Sequence, residues 1–475
     1  MTSELNRLLA LQKQAFQQEP FPDTPIRRDR LNRMIRMVQS NLNEFCSAVS
    51  QDFSGRSVDE TLQLELIPSV EGARYYRKHV GRWMKPVKRS LPLVLQPAKA
   101  QVVVQPLGVV GIITTWNYPL YMAMGPLSGA LAAGNRALIK VSEHAPASGA
   151  ALKHAFSQWF EESEVAVVEG DAQVGAAFSA LPLDHLLFTG STMVGRKIMA
   201  AAAPNLTPVT LELGGKSPAI VTTSFPLAET ARRLVWGKSI NAGQTCVAPD
   251  YVCCPKDSVD TLVSLMKESY QSFFPQGVGS EDHTAIIHQG HYQRLRGMIQ
   301  DAQDKGATVI PLGQAPDGSR KWPLTLITGV RDDMLLMQEE IFGPLLPIVP
   351  YDHLSELISE LQAKPRPLAL YYFGASAKDA AQVARNTHAG GMCHNDCVLH
   401  VGVDDLPFGG IGPSGMGHYH GKEGFLTFSK TKAVFSKGRL NSTSLIYPPY
   451  GKSIQQWIYR YFLGKKVKDL LAGRP

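Results

Sequence analysis

Cysteine is scarce, at six in 475 residues, and no pair of them has zinc-type spacing. That excludes a disulfide framework and a structural zinc module, and it fits a reducing compartment where thiols stay free. No secretory-type apolar segment opens the sequence, so the expected address is the cytoplasm. A long basic run is also missing: Lys and Arg are scattered among acids, and the net charge of +7 is mild for this length, which leaves no footprint for nucleic acid. Asp, Glu, Lys and Arg are absent between Lys99 and Arg136. A bilayer span needs roughly 20 mainly apolar residues, and Gln101, Gln105, Asn117 and several Pro and Gly interrupt this stretch. It reads as buried strands followed by an apolar helix. Internal repeats, low-complexity segments and a Pro/Ser linker are lacking as well.

What remains is an ordinary globular composition, 44% hydrophobic and 19% charged, long enough for two or three domains. Thr24-Pro25 reads as a cap and first helical residue, and Leu31, Met34, Ile35, Val38, Leu42 and Phe45 follow at helical spacing. This predicts a helical cover. From Val102 onward come short Val/Ile-rich runs, each with a Gly-containing turn and an amphipathic stretch: 109–114, 137–141, 165–168, 185–188 and 219–221. Strands alternating with helices predict an α/β fold with a doubly wound, mainly parallel sheet. Runs at 307–310, 345–349 and 368–373 predict a second α/β domain of the same kind. In 453–475, Ile454, Trp457, Ile458, Tyr461 and Phe462 recur at helical spacing beside Arg460, Lys465, Lys466 and Lys468. Such a helix packs on the protein's own body or on a partner subunit; peripheral contact with a membrane surface is the less favoured reading.

Four segments can carry chemistry. Gly243-Gln244-Thr245-Cys246 places a thiol after small and polar residues, in a loop able to expose the sulfur, although a lone Cys is more often a small buried hydrophobe. Glu212 sits between Leu211 and Leu213 just before Gly214-Gly215, where apolar neighbours would raise its pKa towards neutrality and suit it to take a proton from water. Asn117, in Thr114-Thr115-Trp116-Asn117-Tyr118-Pro119, offers an amide donor to a developing oxyanion, or merely a turn before a helix. Phe188-Thr189-Gly190-Ser191-Thr192-Met193-Val194-Gly195 runs from a strand end into a helix whose first N–H groups suit a pyrophosphate, without being the G-x-G-x-x-G fingerprint.

Taken together and in this order, the four segments resemble aldehyde dehydrogenases. Lys140-Val141-Ser142-Glu143, Glu339-Glu340-Ile341-Phe342-Gly343-Pro344, and Pro407-Phe408-Gly409-Gly410 through Tyr419-His420-Gly421-Lys422 agree with that resemblance. The Tyr-His-Gly-Lys ending is similar to the short dimeric branch that handles fatty, aromatic and coniferyl aldehydes, with the nearest likeness to its coniferyl members over 79–86 and 102–111.

The resemblance implies NAD(P)-dependent oxidation of an apolar or aromatic aldehyde to the acid. Cys246 would be the nucleophile that forms a thiohemiacetal and then a thioester, Asn117 with the Cys246 N–H would hold the oxyanion, and Glu212 would activate water. Lys140 and Glu143 would meet the adenine-side ribose, Gly190, Ser191 and Gly195 the pyrophosphate, and Glu340 with Phe342 the nicotinamide ribose. NAD is the first choice of cofactor because a carboxylate repels a 2′-phosphate. Val141 stands where the family pattern has proline, so the stiffness of that loop, and with it the use of NADP, stays open. Tyr118, Met122, Trp236, Phe408 and Tyr419 would line the substrate channel.

No metal is expected: His394, His400, His418 and His420 match no standard ligand spacing. The implied organisation is a cofactor domain over 1–213 with an oligomerising hairpin at 91–105, a catalytic domain over 214–407, a return and bridging strand over 408–450, and an amphipathic basic tail over 451–475. Such a chain is expected to be a homodimer. Two rivals are a long-chain fatty aldehyde dehydrogenase and a non-catalytic structural protein on the same fold. Holding Cys246, Glu212 and Asn117 together argues against the second.

Overall fold

The computed structural model describes residues 2–92 and 95–464, which divide into two compact units. Met1–Gly81 with Pro106–Lys430 form the larger, and Arg82–Gln105 with Thr431–Pro475 the smaller.

The larger unit opens with helices Thr2–Gln18, Thr24–Ser40 and Leu42–Asp52. The second of these starts one residue before the Thr-Pro reading: Asp23 is the cap, its carboxylate accepting from the Ile26 N–H. The single helix expected through Phe45 is broken at Asn41, so Leu42 begins a new helix and stays exposed, while Leu31, Met34, Ile35, Val38 and Phe45 are buried. Arg27 is buried too, and its guanidinium donates to the carbonyls of Ala132 and Ala133, which end the apolar helix Tyr121–Ala133.

Two sheets follow. The first has six strands in the order Gly415–Met416, Val209–Glu212, His185–Thr189, Val109–Ile113, Arg136–Lys140, Val165–Val168; all neighbours are parallel except the first pair. Its central strands are buried along their whole length, which is why they read as unbroken Val/Ile/Leu runs. Strand order reverses at Val109–Ile113, whose neighbours lie at 136–140 and 185–189. Loops leaving Ile113 and Thr189 therefore diverge and open a crevice at the carboxyl edge of the sheet.

The second sheet has seven strands in the order Thr308–Pro311, Thr325–Thr328, Leu345–Tyr351, Tyr251–Pro255, Pro218–Val221, Ala369–Phe373, Gly391–His394, with only the first strand antiparallel. Its core gathers Ile220, Tyr251, Ile327, Leu345 and Leu370 with Leu295 and Met298 of helix Gln289–Asp304.

The smaller unit contains a three-stranded sheet, Val87–Arg89, Lys99–Pro106 and Ser429–Ser436, with the middle strand antiparallel to the first. Helix Ser453–Leu463 ends the described chain and exposes Trp457, Tyr461, Phe462 and Leu463; Lys465, Lys466 and Lys468 lie outside the described residues. Among the described residues no helix is long and apolar enough to cross a membrane.

Candidate active site

The thiol loop is built on an unusual turn. Helix Leu227–Ser239 ends in a segment where Asn241 (φ 49°), Ala242 (φ 51°) and Gly243 (φ 70°) are successively left-handed. A non-glycine residue held there costs about 1–3 kcal/mol, so the surroundings must hold it. Gln244 is one such support: fully buried, it donates to the carbonyls of Asn241 (3.0 Å) and Ala285 (3.1 Å) and accepts from the Ile287 N–H (2.9 Å). Gly243 meets a steric demand, because a Cβ there would lie 2.5 Å from the Gly343 carbonyl oxygen.

Cys246, two residues past Gln244, is partly exposed and reaches a cavity of about 170 Å³. Burial, then the nearby Glu340 and Glu212 carboxylates, push its thiol up to about 12, while the N–H groups of Cys246 and Val247 pull the other way. At rest the sulfur therefore carries its proton, and a base must remove it before attack.

Asn117 and Glu212 come to the same region from the first sheet. Asn117 is buried and donates from Nδ2 to the Gln244 carbonyl at 3.1 Å, which ties it to the thiol loop and uses one of its two amide hydrogens. Its Oδ1 has no partner. Glu212 ends strand Val209–Glu212, is buried, and neither carboxylate oxygen has a hydrogen-bond partner. Burial alone holds its pKa well above the usual carboxylate range.

Tyr118, Met122 and Trp236 line the cavity with Cys246 and Thr245, and the Tyr118 and Thr245 hydroxyls are 2.6 Å apart. Phe408 and Tyr419 do not line it. They are buried against His420, with ring centroids 5.3 and 4.6 Å away, and His420 in turn meets the Tyr121 hydroxyl at 3.1 Å. Tyr121 does line the cavity, as do Val398, Leu399 and Val401. Tyr121 was legible as the helical neighbour three residues beyond Tyr118; the 398–401 segment carries no local signal, because a distant loop supplies that wall.

The crevice in the first sheet fits a dinucleotide. Two buried hydroxyls, of Thr114 and Thr189, stand without partners just past and at the carboxyl ends of adjacent strands at the point of reversal. Ser191 caps helix Thr192–Ala202, accepting from the Val194 N–H at 3.3 Å, so the first N–H groups of that helix start beside Thr189. Gly190 and Gly195 are packed closely, since a Cβ would come within 2.5 Å of the Phe188 ring and 2.8 Å of Leu213 respectively. On the neighbouring strand Lys140 is buried and bonds Glu143 at 3.1 Å.

Glu340 reaches back to the thiol side: a Cβ on Gly214 would fall 2.1 Å from its carboxylate, and burial, with Asp250 next, raises its pKa to about 8. Phe342 (φ 52°) packs edge-on against Trp116 at 5.3 Å, which lies one residue before Asn117. Among the described residues no group of three His, Cys, Asp or Glu could hold a metal ion.

A thiol able to hold a covalent adduct, beside a dinucleotide crevice and a buried base, is the equipment of aldehyde oxidation, and the chain belongs to the aldehyde dehydrogenase family, whose model matches residues 3–434. It is 54% identical, over 97% of each chain, to a probable coniferyl aldehyde dehydrogenase of Pseudomonas aeruginosa. A coniferyl aldehyde dehydrogenase of a Pseudomonas species is 44% identical over 95% of each. Among solved structures, the substrate-bound state of Staphylococcus aureus AldH superposes with a TM-score of 0.91 at 34% identity, covering 96% of this chain and 99% of that one. A Mycobacterium tuberculosis aldehyde dehydrogenase complexed with NAD+ gives 0.82 at 26% identity, covering 91% and 90%. The protein is thus an oxidoreductase that acts on aldehydes with a nicotinamide cofactor.

Proposed function

We propose that the enzyme oxidises coniferaldehyde or a close aryl propenal to the acid, with NAD as the preferred cofactor. The observation that carries the substrate class is the cavity that Cys246 lines: apart from Gln63 and Thr245 its walls are aromatic and apolar, and no acidic or basic side chain lines it. Such a wall favours an uncharged, flat aldehyde over a charged semialdehyde, which would be desolvated there without a partner. The coniferyl names of relatives at 44–54% identity support the same reading.

In this reading the partly exposed Cys246 gives its thiol proton to solvent water as the sulfur attacks the carbonyl carbon, and the second amide hydrogen of Asn117 with the Cys246 N–H holds the oxyanion. When bound, the nicotinamide supplies the acceptor for the hydride that leaves the carbon. Glu212 takes a proton from the water that splits the resulting thioester, a task its raised pKa suits. Lys140 and Glu143 hold the adenine-side ribose, Gly190, Ser191 and Gly195 the pyrophosphate, and Glu340 with Phe342 the nicotinamide ribose. The sheet over 109–212 is then the cofactor lobe and the sheet over 218–394 the thiol-bearing lobe. We also assign the enzyme as a cytoplasmic homodimer, supported by the exposed outer strands Val87–Arg89 and Ser429–Ser436 of the small sheet.

Steady-state kinetics with coniferaldehyde, benzaldehyde and aliphatic aldehydes of increasing length, each with NAD and NADP, test the assignment. The expected outcome is the highest kcat/KM for coniferaldehyde with NAD. A maximum at long aliphatic chains would replace it with fatty aldehyde oxidation, and an unimpaired Cys246→Ala variant would remove the covalent mechanism.

A further inference from the structure

Beneath the Asn117 and Cys246 loops lies a buried run of three charges to which the chemistry above gives no part. Arg56 is fully buried, its guanidinium stacked over the rings of Phe53 and Tyr118 at 5.3 and 5.0 Å. One of its nitrogens donates to Glu65 at 2.8 Å and, more distantly, to the Asn117 carbonyl at 3.4 Å. Its Nε lies 3.5 Å from Glu60.

The two carboxylates each hold one loop. Glu65, in the π-turn Leu62–Leu66, accepts through its other oxygen from the N–H groups of Leu120 (2.7 Å) and Tyr121 (3.1 Å). Helix Tyr121–Ala133 has no cap from its own N-cap side chain, so Glu65 does that work from a distant helix and fixes the turn after Asn117. Glu60 accepts from the Asn241 N–H at 2.5 Å and from the Thr284 hydroxyl. Asn241 is the first left-handed residue of the thiol loop, and its amide donates to both the Asn117 carbonyl (2.9 Å) and the Gln244 carbonyl (3.1 Å).

Burying three charges is a poor route to stability, since desolvation offsets most of their attraction and an apolar cluster would pack as well. Geometry is the better explanation. Both loops are referenced to one segment, residues 56–65, whose Gln63 and Leu64 line the cavity but whose Arg56, Glu60 and Glu65 do not. We propose that Glu60, Arg56 and Glu65 are positioning residues that fix the spacing between the Asn117 amide and the Cys246 backbone, and so set the geometry of the oxyanion site. The proposal rests on the reading of those two groups as the oxyanion donors.

A misplacement of about 1 Å costs on the order of 100-fold in rate. Accordingly, Glu60→Ala is expected to lower kcat by roughly that factor with the KM for aldehyde changed less than about threefold. Glu60→Gln keeps an acceptor at the same reach and should recover most of the loss, whereas Glu60→Asp keeps the charge but falls one methylene short and should not. An Asp variant equal to or better than Gln would overturn the geometric argument, as would a folded Glu60→Ala with kcat within about twofold of wild type.

Because Glu60 acts in this scheme only on the spacing between the Asn117 amide and the Cys246 backbone, the losses in Glu60→Ala and Asn117→Ala should not multiply in the double variant; multiplying losses would overturn it. Full turnover in Asn117→Ala alone would sink the oxyanion reading itself. An impaired Asn117→Ala beside an unimpaired Glu60→Ala would sink only the positioning network.

Discussion

At the level of single residues, Glu212 shows how a site can be built at the expense of stability. Its folded-state pKa is raised far above its ordinary value of 4.5, so between those two pKa values the native chain binds more protons than the unfolded one. Stability therefore falls as pH rises through that window and is not recovered above it. Glu212→Gln removes the linkage: at pH 7 the variant should be more stable than wild type, with the difference closing near pH 4, as denaturant melts at the two pH values will read. The same variant should lose at least about 100-fold in steady-state turnover yet keep a first burst of reduced cofactor, because acylation precedes the step assigned to Glu212. Glu143 allows a separate test. Its half-exposed carboxylate is held by Lys140, and Glu143→Gln should raise the NADP to NAD ratio of kcat/KM by roughly tenfold through lost repulsion of a 2′-phosphate.

Elements differ in how plainly the sequence announces them. The strands at 109–113, 136–140, 165–168 and 185–189 are legible to within a residue or two because a parallel sheet covered on both faces demands continuous apolar runs. The break at Asn41 is not, since helical spacing continues across it and only an exposed Leu42 betrays the new start. Nor is the Arg56, Glu60 and Glu65 network: charges at such spacing on helical turns look like a solvated face, and burial alone distinguishes them. Cys246, Glu212 and Asn117 are each ambiguous alone and stand out only through the order of motifs that resembles a family, and the meeting of the Cys246 and Asn117 loops depends on Asn241 and Gln244, whose hydrogen bonds no periodicity encodes. The thiol loop itself is testable. Gly243→Ala asks a side chain to adopt φ 70° against a carbonyl 2.5 Å away, and it should lower stability by about 2 kcal/mol or more, read as a shifted denaturation midpoint.

For the molecule as a whole, the small sheet leaves Val87–Arg89 and most of Ser429–Ser436 exposed along its outer strands. Sedimentation equilibrium should therefore return twice the chain mass of 51.9 kDa, and a charged or proline substitution at Val87 should shift it towards the monomer. The strand that carries Glu212 has its outer neighbour at Gly415–Met416, about two hundred residues later. During synthesis that edge waits unpaired while the whole seven-stranded sheet is translated, so a nascent chain stopped before Gly415 would present an open template to its neighbours on the polysome. Pairing of Gly415 with Glu212, rather than completion of the five strands before it, is then the step that closes this ladder.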